Sequence, residues 1–171
     1  MALDVHVLPP TGELPPLAWR WDAETDILSG AFRAGAGQAG YTGTVELNDE
    51  EGSIAVIDVA GGVLCGIDVV VWPELVVLDD LARPAGARAG MVVVPSRTAR
   101  RGVAALEFDT TLSVSTDPAE ELFHLRLGTR RPVEPVRVAD KLLVEVDASH
   151  RLAGFWVAQG PPQPVPRCAR R

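Results

Sequence analysis

Lysine is nearly missing from this chain. Lys141 is the only one, the other basic residues are arginine, and the 16 basic against 23 acidic residues leave a net charge of −7 over 171 residues. Nucleic acid is excluded as a partner, because phosphate binding rests on clustered cations that release counterions. Cysteine is scarce too. Cys65 and Cys168 form no disulfide framework, and Cys65 reads as a small core residue. No apolar run approaches the roughly 20 residues that span a bilayer. The opening MALDVHVLPP has no basic segment before an apolar core. Neither membrane insertion nor a signal peptide is expected, and the cytoplasm is the expected compartment. Helical periodicity is also missing: only 72–83 can be forced into a 3.6 period, and its paired valines favour a strand.

What remains is a succession of short β-like runs broken by turns. At 47% hydrophobic and 23% charged the composition is that of a globular domain, and the length suits one domain or two small repeats sharing a core. The most informative stretch is 136–157, VRVADKLLVEVDASHRLAGFWV, which reads strand, turn, strand, turn, strand. Much of it recurs at 54–71, IAVIDVAGGVLCGIDVVV. In both copies an Asp closes one strand (Asp58, Asp147), and an apolar residue stands two before a glycine (Leu64 and Gly66, Leu152 and Gly154). Upstream, Asp22 matches Asp117, Asp26 matches Glu121, Leu28 matches Phe123 and Phe32 matches Leu127 without a gap. A repeat at this scale means two similar supersecondary units. The expected fold is all-β, an antiparallel barrel or sandwich of about eight strands built from two β-meander repeats.

The repeats are placed at 17–73 and 104–159, joined by 74–103, behind an N-terminal arm, 1–16. Arm prolines 9, 10, 15 and 16 make it an edge strand or irregular lead-in. A Pro- and Arg-rich tail, 160–171, is expected to be disordered. The Gly/Ala-rich stretch 34–43 reads as a loop. The acids of the turn Asn48-Asp-Glu-Glu-Gly52, like Asp79-Asp80, read as solvated rather than catalytic or calcium-binding. Arg97, Arg100 and Arg101 read as solvated loop residues, with an anion-binding role as the alternative. His6, His124 and His150 lie far apart and show no metal-ligand spacing.

The second unit resembles a family of small bacterial domains of unknown function. Their pattern is an acidic turn and a strand, then V-x-x-D, an aliphatic strand ending in D, and a segment close to G-x-L-x-G-I. The matching residues are Val138, Asp140, Leu142, Leu143, Val144, Asp147, Arg151 to Gly154 and Phe155. In the first unit Asp58, Gly62 to Gly66 and Ile67 match. His150 stands where the pattern usually has Gly, and the first unit fits poorly before Ser53. The resemblance covers about two thirds of the chain; it implies a β-meander and no activity. More loosely, the chain is similar to small β-barrel accessory proteins of actinobacterial polyketide and enediyne clusters.

Strand alternation assigns faces. Residues 121–127 and 141–147 each show one apolar and one wet face, whereas the last strand of each unit is apolar on both. Dual apolar faces predict one side lining an interior and the other packing on a second subunit or on the opposite repeat, with a homodimer expected. With only four Trp, four Phe and one Tyr, and with small residues such as Gly30, Ala55 and Ala153 on its strands, the interior is expected to be underfilled. The expected function is non-enzymatic: an apolar barrel cavity holding a hydrophobic chain-like small molecule such as a fatty acyl, polyene or polyketide intermediate. Its lining would be Leu28, Phe32, Ile57, Ile67, Val69, Phe123, Leu125, Leu127, Val144, Val146 and Phe155. Trp72, Leu152 and Trp156 would form the interface. No metal or cofactor is expected. The alternative is a structural or protein-interaction β-module with a solid core. An enzyme is the third reading, with His124 beside Glu121 or Arg126 as its best candidates.

Overall fold

A chain in which apolar and polar residues alternate hides one side of each strand and wets the other, and two such surfaces bury each other face to face. The computed structural model, whose description covers residues 2–33, 40–95 and 105–158, is built on that principle. The arginines of 96–101 and the tail from 159 onward lie outside the described residues, as does most of the Gly/Ala stretch.

The first unit folds as β2 (Ala18–Asp22), β3 (Ile27–Ala31), β4 (Gly43–Asn48), β5 (Ile54–Ala60) and β6 (Val63–Val71). The second folds as β11 (Leu112–Thr116), β12 (Leu122–Leu127), β13 (Val133–Ala139), β14 (Leu142–Asp147) and β15 (Leu152–Ala158). The spatial order is the same in both. β2-β3-β6-β5-β4 in one corresponds to β11-β12-β15-β14-β13 in the other, all antiparallel. Each unit builds one sheet, and the two sheets bury a single apolar core.

Five short strands complete the edges: β1 (His6–Leu8), β7 (Leu75–Val77), β8 (Arg88–Ala89), β9 (Met91–Val93) and β10 (Ala105–Asp109). The count of about eight strands is therefore too low. These strands of two to five residues add to the five long strands of each unit, which a barrel of about eight strands leaves no place for. The all-antiparallel expectation also needs correction, because β10 runs parallel to β4, β7 to β11 and β8 to β13. The edge strands are exchanged between units. β7 follows the first unit yet extends the second unit's sheet, while β10, expected with the second repeat, extends the first. The N-terminal arm supplies β1 and buries Leu3 and Val5.

The internal match also shifts in one place. Asp58 pairs with Gly66 as Glu145 pairs with Gly154, so the partner of Asp58 is Glu145, and Asp147 corresponds to Ala60. His150 adopts φ 57°, the left-handed conformation that favours glycine, in the turn between β14 and β15. No helix among the described residues is long and apolar enough to cross a membrane.

Candidate functional site

All eleven residues expected to line a ligand chamber lie in the core, from Ile57, Val144 and Phe155 at 0% exposure to Phe32 at 9%. The space left among Leu28, Ile67, Val69, Phe123, Leu125 and Phe155 is about 20 Å³. Ligand pockets run to roughly 300 Å³ and above, so the interior is filled with side chains. The expectation of an underfilled barrel fails for a local reason. Gly30 does leave room, but the Trp19 ring from the neighbouring strand lies over it, and a Cβ at Gly30 would run into that ring.

The expected interface residues are also occupied within the chain. Trp72 stacks on Trp21 at 5.7 Å, tilts against Phe123 at 5.9 Å, and donates its Nε1–H to the Asp26 carbonyl at 2.9 Å. Leu152 is 1% exposed and Trp156 6%. Trp72 thus joins the two sheets, and Leu152 belongs to their common core.

Trp156 leads to a different site, on the side of the second sheet away from that core. Cross-strand registration places one row of residues there from edge to edge: Val76, Ser115, His124, Trp156, Leu143, Arg137 and Ala89. Alternation predicts that this face is wet, yet every residue of β14 is buried, Glu145 and Asp147 included. The cause is long-range. β7 and β8 occupy opposite edges of this sheet, and the connection 78–87 is carried across the face between them.

Glu145 is the centre of the covered face. Its Oε2 accepts from His124 Nε2 at 3.0 Å and its Oε1 from the Trp156 indole at 2.6 Å, while the two rings stack at 4.0 Å and 8°. Burial alone would raise this carboxyl, but the His124 and Trp156 hydrogen bonds, with Arg126 nearby, hold it below its ordinary value. Gly154 permits the arrangement, since a Cβ there would lie 2.6 Å from Glu145 Oε2. His124 was a candidate beside Glu121 or Arg126; its hydrogen-bond partner is Glu145, and Glu121 lies exposed in the preceding turn. Ser115 faces His124 across the strands but makes no hydrogen bond to it among the described residues.

One end of the face is locked by Arg131. Its guanidinium donates to Asp147 Oδ2 at 2.8 Å and to the carbonyls of Leu127, Thr129 and Leu152. Asp147 also accepts from Arg151 and from the amides of Ser149 and Arg151. Burial raises its carboxyl, and these donors together more than reverse the effect. Between the strap and the sheet lies a cavity of about 360 Å³, bounded by Leu78, Leu81, Ser115, Arg126, Glu145 and Trp156 among others. Elsewhere His6 and His150 approach to 6.2 Å, and no group of three metal-capable side chains occurs among the described residues. No family model matches this chain, nor does any curated protein.

Alternation identified the outward direction of His124, Arg126 and Glu145. It carried no sign of their cover, because that depends on a linker seven strands wide in its reach.

Proposed function

We propose that the chain is a duplicated β-meander closed as a solid-cored sandwich, and that it is a non-enzymatic interaction module taking an extended strand of another protein along the edge of β7 that no described strand pairs. One observation carries this reading. Val76 and Val77 on that edge are 48% and 55% exposed, with Leu78 exposed next to them. Unpaired edges are normally guarded by charge or proline. Of the other edge strands, β2 carries Arg20 and Asp22, β10 carries Glu107 and Asp109 and β8 carries Arg88, while β1 runs directly into Pro9 and Pro10. β7 carries only valine and leucine.

The Leu78 amide donates inward to Thr116 O, so by alternation Val76 also faces β11, and Val77 and Leu75 offer their backbone groups outward. Exposed Glu74, Asp79 and Asp80 flank the edge. The partner segment is therefore apolar and extended with Lys or Arg at its ends. Pairing of β7 with a second β7 would bring these acids together, which disfavours a homodimer through this edge.

A fluorescent peptide of alternating valine and threonine, with two lysines at each end, is the probe. It should bind the full chain and shift the backbone amide resonances of Leu75 and Val77. Val77→Pro removes an outward amide and leaves the ladder to β11 intact, so binding should fall at least tenfold with the fold unchanged. Binding that survives Val77→Pro, or dimerisation through β7, would overturn the reading.

A further inference from the structure

The charge around the strap cavity does not match the molecule that contains it. The chain is acidic overall, yet Arg126, Arg130 and Arg131 border this space. Its one lining acid, Glu145, is already engaged by His124 and Trp156. Arg131 is consumed by Asp147 and three carbonyls. Arg126 is different. It projects from β12 beside Gly154, and its Nε is buried with no hydrogen-bond acceptor among the described residues. A buried guanidinium donor without an acceptor is costly, and a carboxylate satisfies its forked geometry bidentately.

We infer that the cavity beneath the 78–87 strap binds a small organic monocarboxylate with a compact apolar body. The head group pairs with Arg126, within reach of the Ser115 and Thr129 hydroxyls that border the same space. The body lies against Leu78, Leu81 and Trp156. Of the described residues that border this space, Arg126 alone has a buried donor without an acceptor, which suits one negative charge, and the fixed carboxylate of Glu145 disfavours a dianion in the same space. The volume, about 360 Å³, falls at the lower end of the range for small-molecule sites. This inference is independent of the β7 edge, although Leu78 belongs to both regions.

The test uses the full chain, with calorimetry and amide spectra. Benzoate and octanoate are the ligand probes, benzyl alcohol the neutral control and phenyl phosphate the dianionic one. The carboxylates should bind one to one and shift the amides of Leu81, Ser115 and Thr129. Arg126→Met keeps the apolar stem and loses the charge; it should weaken binding about tenfold or more while the melting temperature holds or rises. Arg126→Lys should retain part of the affinity. Leu81→Trp, which fills the space from the strap, should block binding with Arg126 intact. The proposal is overturned if neither carboxylate binds, if benzyl alcohol binds as well as benzoate, if phenyl phosphate binds more tightly, or if Arg126→Met binds unchanged.

Discussion

The two sheets put different chemistry on the same framework. On the outer face of the second, Glu145 sits over Gly154 and is held by His124 and Trp156. The corresponding positions on the first are Asp58 over Gly66, with Ser29 and Asp68 paired across β3 and β6 as His124 and Trp156 are across β12 and β15. Two donors around one acid have become two acids and a hydroxyl. The electrostatics follow. The Glu145 carboxyl is held low, whereas that of Asp68 is raised by burial and then by the charge of Asp58. Burial and the same Asp58 charge also raise the Cys65 thiol, which favours an inert thiol over a reactive one. The backbone sets where an acid meets a glycine. The neighbouring side chains decide whether that acid is stabilised there.

The largest expected effect tests the glycines themselves. Gly154→Ala places a Cβ 2.6 Å from Glu145 Oε2 and 2.7 Å from the Leu125 carbonyl. The backbone oxygen cannot withdraw, so a loss of about 3 kcal/mol, at the upper end of overpacking costs, is expected in urea unfolding. Gly66→Ala meets the Asp58 carboxylate at 2.7 Å and the Gly30 carbonyl at 3.0 Å, and should cost less because half-buried Asp58 can turn aside. Equal losses would break the comparison.

Next comes the acid. Glu145→Gln leaves one of two buried donors poorly matched, and about 1–3 kcal/mol of stability should go. Its acid sensitivity supplies a second readout. Because the folded-state pKa of Glu145 lies below the ordinary 4.5, its contribution is complete above that value and lost as pH falls through the lowered one. Glu145→Gln should flatten the loss of stability below about pH 4.5.

The smallest effect has the opposite sign. Asp68 is raised, so its ionised form opposes folding at neutral pH, and that opposition fades as pH falls through the raised value. Asp68→Asn should raise the melting temperature at pH 7 and make little difference in acid. A lowered melting temperature at pH 7 would mean that the two faces are less different than their charges imply.

Much of this was legible in the residues. Leu28, Ile67, Phe123 and Phe155 announce themselves as inward by alternation, and the Leu64-x-Gly66 and Leu152-x-Gly154 echoes mark strands that prove equivalent. The match of Asp58 to Asp147 erred because both units carry a register shift at this hairpin, where spacing along the chain no longer tracks pairing across it. Small residues on a strand do not by themselves leave space in the interior: Trp19 over Gly30 turns a gap into a contact. The expected interface at Trp156 erred in kind. An apolar outer face does need covering, and the chain covers it with its own linker.

By itself, then, the sequence determined the strand-forming runs, their inward faces and their duplication. Those depend on period and on turn residues a few positions apart. Only the tertiary structure decided that Glu145, His124 and Trp156 meet, that the strap roofs them, and that β7 is left as an unguarded edge. The first rests on the pairing of β12, β15 and β14, and the other two on how the two sheets exchange their edge strands.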